Sequence, residues 1–379
     1  LGPKRPAAAA EILYIPFDRR EILEGMEEGD RLVLADGTLQ FLVTNKAPGG
    51  FIVQADNNGM VTSRKGLALP GKSVRLPALT DVDRKNLADG LRLGVDAVAL
   101  SYVQTPEDIL DAREIIEASG RKVAICAKLE RQNAVDRLND ILEVSDVVMV
   151  ARGDLGIECP LPELPAMQKR IISACNAAGK PVIVATQMLL SMVNNPAPTR
   201  AETTDVANAV LDGADCVMLS EETAMGNFPV ETVAFMGKIA EEAEILLAER
   251  KRFIALPEAD NTPDFLSYSA CLMAEKVDAA AIVAHSMTGK AARSLSIYRP
   301  RQPIFVLTPD KEVLHQLNFS WGVTPCLADE SIAGHLQRAE SYIDSSPRFL
   351  AGSDTIITAG QPKDGVPAHG TNLVKIYRK

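Results

Sequence analysis

Val123-Ala-Ile-Cys-Ala-Lys-Leu-Glu130 and Val147-Val-Met-Val-Ala-Arg-Gly-Asp154 decide how this chain folds. Each opens as a short apolar run, the pattern of a strand buried on both faces, and ends in residues able to do chemistry. Further runs of the same kind occupy 97–100, 182–185 and 216–219, with amphipathic, Ala-rich helical stretches between them. The run starts at 97, 123, 147, 182 and 216 lie 26, 24, 35 and 34 residues apart. That spacing holds one strand plus one crossover helix, so the strands should be parallel with right-handed connections. Five such units in a row predict either a (β/α) barrel or a doubly wound sheet. The ends of the runs separate the two. Ser101, Lys128 and Glu130, Arg152 and Asp154, Thr186 and Gln187, and Ser220 to Thr223 follow the five runs in turn. One polar loop after a strand means little, but convergence from many strand ends is how a (β/α)8 barrel builds its site.

Outward from these units the pattern changes twice. Residues 6–71 carry short β-rich pieces at 31–34, 40–43 and 51–54, broken by Asp36-Gly37, Gly49-Gly50 and Asn57-Asn58-Gly59, and predict a small antiparallel β domain. The barrel units occupy 72–250. Beyond them, Pro257, Asn261 and Pro263 loosen the chain into a third segment, 251–379, with strands expected near 280–285, 303–307, 355–358 and 373–377. This is read as a separate α/β domain.

The 379 residues carry 50 acidic against 40 basic side chains, a formal charge of −10, which argues against nucleic acid or an anionic membrane held by bulk charge. No apolar stretch approaches a membrane span. Six cysteines without a C-x-x-C pair, three of them in or beside apolar runs, read as reduced buried thiols in a cytoplasmic setting. Gly66-Leu-Ala-Leu-Pro-Gly71-Lys72-Ser73 satisfies the P-loop pattern, yet Val74-Arg75-Leu76-Pro77 follows where a helix is needed, so a hinge between domains is the better reading. Lys128 and Glu130 share one side of their strand by period-two geometry, either as a structural ion pair or as part of a site. Glu130 and Asp154 give two carboxylates at one mouth, a donor set suited to Mg2+ with several waters. Ser286, Thr288, Gly289 and Lys290, leading into a helix towards Tyr298, make an anion pocket or an ordinary N-cap.

Residues 125–130, 149–158, 179–188, 198–202, 205–215 and 218–223 together resemble the pyruvate kinase family, and the likeness runs from about Gly29 to Gly370-Thr371-Asn372. The resemblance implies a TIM barrel, a small β-barrel lid domain and a C-terminal α/β regulatory domain. It also implies Mg2+-dependent phosphoryl transfer from phosphoenolpyruvate to ADP, with Mn2+ able to substitute. By the same resemblance Lys128 stabilises the transferring phosphoryl group and the enolate, Glu130 and Asp154 hold the metal, the amides of Gly153 and Asp154 take the substrate carboxylate, and Thr186 helps protonate the methylene carbon. Lys65, Arg5 and Asp36 fall on the nucleotide side, and Ser286 to Lys290 on an effector loop for a sugar phosphate or nucleotide. A homotetramer in the cytoplasm is implied too.

Departures from the family pattern carry expectations of their own. Leu1-Gly-Pro-Lys4 resembles the tail of the third barrel strand, so 1–5 is read as a strand end and the first three strands are expected to be missing from this chain. A complete barrel takes about 250 residues, whereas 79–250 supplies 172. Lys4 stands where potassium-dependent members carry glutamate, which predicts catalysis without added K+. Glu221 replaces a commoner glycine. Two rivals are weighed: a phosphoenolpyruvate-type lyase or aldolase on a similar barrel, and a non-catalytic metabolite sensor.

Overall fold

The computed structural model describes residues 1–2, 13–17, 20–34, 37–62, 67–70, 77–249, 261–360 and 370–379. The strands fall into three sheets. In the N-terminal sheet, β1 (Arg31–Leu34), β2 (Leu39–Ala47), β3 (Gly50–Ala55) and β4 (Leu67–Ala68) pair antiparallel in the order β3-β2-β1-β4. Alternation does the work here. Leu39, Phe41 and Val43 face inward from β2 and meet Leu32, Leu34, Phe51 and Leu69. Leu1 and Gly2 lie along this sheet. The Leu1 carbonyl accepts from Phe51 N at 2.9 Å, and a Cβ at Gly50 would sit 2.1 Å from that oxygen, so only glycine lets the two backbones approach.

The central sheet holds β5 (Ala97–Leu100), β6 (Ala124–Leu129), β7 (Val147–Ala151), β8 (Val182–Ala185) and β9 (Cys216–Met218), all parallel and in sequential order. Sequential order decides between the two architectures left open above. A doubly wound sheet reverses its strand order part-way, and this one does not, so it is the arc of a (β/α) barrel. Odd and even positions on each strand take different surroundings. Ile125, Ala127, Leu129, Val148, Val150, Val182 and Val184 pack outward on the helices, while Cys126, Met149, Ile183 and Ala185 face the barrel axis, where Phe319 also packs. The helices are set by local signals: capping boxes at Thr80 with Asp83 and at Thr199 with Glu202, and left-handed glycine caps at Gly94, Gly179 and Gly213. All six cysteines are free thiols, four of them buried.

The C-terminal sheet contains β10 (Ile282–His285), β11 (Ile304–Thr308), β12 (Val323–Leu327), β13 (Asp354–Ala359) and β14 (Leu373–Arg378), ordered β12-β11-β10-β13-β14 with β14 antiparallel. Its order reverses between β10 and β13. Helices Thr262–Lys276 and Lys290–Ile297 cover one face and His335–Ser345 the other. Strand β12 has no counterpart in the sequence reading because Pro325 sits in its middle. Proline is tolerated there because β12 is an edge strand.

Barrel and C-terminal domain share a buried ion pair. Arg299 Nη1 lies 3.0 Å from Asp215 Oδ1, with side chains only 3% and 6% exposed. Asp215 also accepts from Val182 N at 3.0 Å and Trp321 N at 3.1 Å, Arg299 Nη2 donates to the Gly213 carbonyl at 2.7 Å, and the guanidinium stacks on Trp321. No helix among the described residues is long and apolar enough to cross a membrane.

Candidate active site

Strand β6 presents Lys128 at the barrel mouth. Its Nζ lies 2.5 Å from Glu130 Oε1 and donates to Ser101 Oγ at 2.9 Å, so the side chain bridges the ends of β5 and β6. Glu130 is buried, and its Oε2 accepts from Tyr102 N at 2.7 Å. That bond anchors the turn after β5, where Tyr102 takes a left-handed φ of 57°. Burial pushes the Glu130 carboxyl above the usual range; Lys128 and the Tyr102 amide oppose the rise, and the charge of Asp154 adds to it.

At the end of β7 the chain turns at once into the helix Arg152–Glu158. The sequence reading expects exposed loop amides at Gly153 and Asp154. Both instead occupy the first turn of this helix, whose amides have no intrahelical partners. Gly153 N donates to Thr186 Oγ1 at 2.8 Å. Thr186 and Gln187 follow β8 with φ of 74° and 51°, a strained conformation for residues other than glycine. Arg152 holds it in place. Its Nη2 donates to the Thr186 carbonyl at 2.7 Å, Nε to the Ala185 carbonyl at 3.2 Å, and Nη1 pairs with Asp205 at 2.7 Å. Glu222, one of the polar groups after β9, does not face the mouth freely. It is buried and accepts from Leu189 N and Ser220 N, tying two strand-end loops together.

The N-terminal sheet closes over these groups. A cavity of about 60 Å³ lies between Val33, Gly37, Leu67 and Ala68 above and Tyr102, Glu130, Arg131 and Asp154 below. A neighbouring one of about 580 Å³ runs from Gly37, Thr38 and Gln40 to Arg152, Gly153, Thr186 and Asp205. Gly37 marks the contact, for a Cβ there would lie 3.7 Å from Ile157.

The same architecture is found in known proteins. The family model for the pyruvate kinase barrel domain matches residues 4–233, and that for the pyruvate kinase alpha/beta domain matches 264–377. A pyruvate kinase of Clostridium acetobutylicum is 42% identical over 369 residues, covering 94% of this chain and 76% of the relative. The chain belongs to the pyruvate kinase family. A pyruvate kinase of Clostridium perfringens is 39% identical over 366 residues, covering 95% of this chain and 77% of the relative. Human pyruvate kinase PKLR is 44% identical over 317 residues, covering 83% of this chain and 55% of its own length.

Members of the pyruvate kinase family need Mg2+, and the residues here fit a cation. The charge of Asp154 helps to raise the Glu130 carboxyl, an effect that a bound cation would relieve. No group of three or more metal-ligating side chains exists among the described residues. Two carboxylates, with the remaining positions left to substrate and water, suit Mg2+. Three neighbours escaped the sequence reading. Arg131 stacks over Tyr102 with its guanidinium 5.4 Å from the ring centre and pairs with Glu158 at 3.9 Å. The signal for Arg131 was its place directly after Glu130 and that for Glu158 its place at the end of the 149–158 stretch; Tyr102 carried none beyond proximity to the strand end at Ser101.

In the C-terminal domain the predicted loop sits at the reversal point of the sheet, after β10. Ser286 is buried, Thr288 and Lys290 are exposed, and Gly289 takes a left-handed φ of 75°. Lys4, Arg5, Asp36 and Lys65 lie outside the described residues, as do Gly66 and Gly71 to Ser73 of the P-loop-like stretch.

Proposed function

We propose that this chain transfers the phosphoryl group of phosphoenolpyruvate to ADP, yielding pyruvate and ATP. The observation that carries the reading is that Glu130, Asp154 and Thr186, from three successive strand ends, line two neighbouring cavities beneath one lid, with Lys128 paired to Glu130. Lys128 is proposed to neutralise charge on the phosphoryl group as its bond to the enolate oxygen breaks, the electrostatic task that dominates such transfers. Glu130 and Asp154 are assigned to Mg2+, which supplies Lewis acidity to the phosphoryl and enolate oxygens when bound. The first-turn amides at Gly153 and Asp154 are assigned to the substrate carboxylate. Thr186 Oγ1 lies beside the Gly153 amide, whose hydrogen bond it accepts until the carboxylate takes it, and its hydroxyl is assigned to pass a proton towards the methylene carbon. The lid excludes water, which would otherwise take the phosphoryl group. Lys65, Arg5 and Asp36 are assigned to the nucleotide on sequence resemblance.

The test is a coupled assay for pyruvate formation from phosphoenolpyruvate. Strict dependence on ADP is expected; pyruvate formed without ADP would favour a lyase, and no turnover a sensor. Catalysis is also expected without added K+, because Lys4 carries the charge the monovalent cation supplies elsewhere. Initial rates in a tetramethylammonium buffer should match those in KCl, and a strict K+ requirement would refute the assignment.

The raised Glu130 carboxyl has a consequence for the metal. Cation binding needs the ionised form, so affinity is full above the raised value and is lost as pH falls through it. Mn2+ titrations followed by water-proton relaxation should show the loss at a pH above that of an ordinary glutamate, near 4.3. Affinity that holds constant down to the ordinary glutamate range would contradict the placement.

We further propose domains at 1–5, 6–71, 72–250 and 251–379, a cytoplasmic homotetramer, and an effector site for a sugar phosphate or nucleotide at Ser286, Thr288, Gly289 and Lys290. Exposed Met225, Val230 and Val233 along one barrel edge supply apolar surface for assembly.

A further inference from the structure

The barrel and the C-terminal domain enclose a cavity of about 350 Å³ at the end of the central sheet opposite to Lys128 and Thr186. Its barrel wall is the start of β6 and β7 and the residues leading into β8, Lys180 and Pro181; its other wall is the helix Lys290–Ile297, with Arg293 and Ser294 facing in. Charge in this space is unbalanced. Lys180, Lys290 and Arg293 line it against Asp146 and Asp264. Both carboxylates are already committed. Asp146 Oδ2 takes Arg113 Nη2 at 2.7 Å and Ile125 N at 2.8 Å, and Asp264 accepts from Ser294 Oγ at 2.8 Å and from Asn261. The hydrogen bonds of Lys180 and Arg293 go to carbonyls: Lys180 Nζ donates to the Ser145 carbonyl at 2.7 Å, and Arg293 Nη2 to the Thr288 carbonyl at 3.2 Å.

Cations drawn out of water with too little anionic charge beside them are costly. Burial pulls both Lys180 and Arg293 below their usual range; the nearby charge of Asp146 opposes the fall at each without cancelling it, and the positive charge of Arg293 pulls Lys180 down further. The space is within the range of small-molecule sites, about 300–1,000 Å³, and much larger than a single water needs.

We propose that this interdomain cavity is a binding site for a small dianion, inorganic phosphate or a phosphate monoester, held by Lys180 and Arg293. The site lies outside the proposed catalytic mouth. It also differs from the proposed effector loop, of which only Lys290 lines it. Its occupant would touch both domains at once and so would stabilise them in the observed arrangement.

The experiment uses the full chain in phosphate-free buffer at constant ionic strength. Inorganic phosphate should raise the melting temperature saturably, beyond what chloride does. Arg293→Gln and Lys180→Met should each weaken that binding about tenfold or more, the loss expected for a charge-assisted bond. Arg293→Lys should recover part of it, and Thr288→Val should leave it unchanged. Without phosphate, Arg293→Gln should melt no lower than the wild-type chain, because it removes a partly buried cation that Asp146 offsets only in part. Glycerol 3-phosphate in place of phosphate tells the two sources apart: tighter binding means an ester, equal or weaker binding means the free ion. Where the variants fail to fold, protection of Lys180 from acetylation in the wild-type chain, read by peptide mass mapping, serves instead. Absence of saturable stabilisation, phosphate binding unaltered in both variants, or no protection of Lys180 would overturn the proposal. Loss of activity with phosphate binding intact would count against the catalytic reading alone.

Discussion

Lys128→Met is expected to lower kcat for phosphoenolpyruvate-dependent ATP formation by about 10²- to 10³-fold, the usual effect of removing one preorganised group that stabilises developing charge. Its KM for phosphoenolpyruvate should change far less, since the ammonium is assigned to charge that grows in the transition state rather than to ground-state binding. The substitution has a structural side as well. Glu130, buried and 2.5 Å from Lys128 Nζ, would lose the interaction that most opposes its protonation. Metal affinity should therefore fall at a still higher pH in Lys128→Met than in the wild-type chain. The double variant Lys128→Met with Glu130→Gln separates the two effects, because it restores charge balance without restoring the ammonium. A kcat within a few-fold of wild type in Lys128→Met would remove this residue from the reaction.

Arg299→Met is expected to cost about 3–5 kcal/mol, because it leaves the Asp215 carboxylate buried without its counter-charge. Asp215 is not a bystander. It receives the amides of Val182 and Trp321, so it ties the start of β8 to the C-terminal domain. Burial already pushes its carboxyl upward against the pull of Arg299, and with the guanidinium gone the group should become protonated at higher pH. Urea unfolding near neutral pH should show a midpoint well below wild type. Asp215→Asn combined with Arg299→Met should recover a large part of the loss, since no uncompensated charge then remains. Unchanged unfolding in Arg299→Met would mean that the pair contributes little and that the domains are held by their other contacts, such as Arg121 with Glu312 and Lys122 with Asp310.

Legibility of the sequence followed the physics of each feature. The central strands could be placed from their apolar runs, best where burial on both faces is complete, as at 182–185; the run at 97–100 matched its strand although that strand is only partly buried, and β6 continues three residues past the run that ends at Cys126. The hairpin strands of the lid were legible from alternation and from Gly49-Gly50. Strand β12 was not, because its proline reads as a break unless the strand is known to lie at an edge. Lys128 and Glu130 could be placed together from period-two geometry alone, since both lie on one short extended segment. Arg152 could not be understood that way. Its sequence position beside Gly153-Asp154 suggests chemistry, yet its guanidinium faces backward to clamp Ala185, Thr186 and Asp205, residues 33 to 53 positions away.

By itself the sequence determined the βα repeat, the residues at the strand ends, the charge that argues against a polyanionic partner and the resemblance to one family, because all of these are set by local pattern and residue type. Only the tertiary structure decided that the five strands run in sequential order, that Thr186 is held left-handed by Arg152, that Glu222 is a tie rather than a free acid, and that Lys180 and Arg293 share one cavity. Those facts depend on groups far apart in the chain meeting at short distance out of water, and neither burial nor the pairing it demands is written in any single stretch of residues.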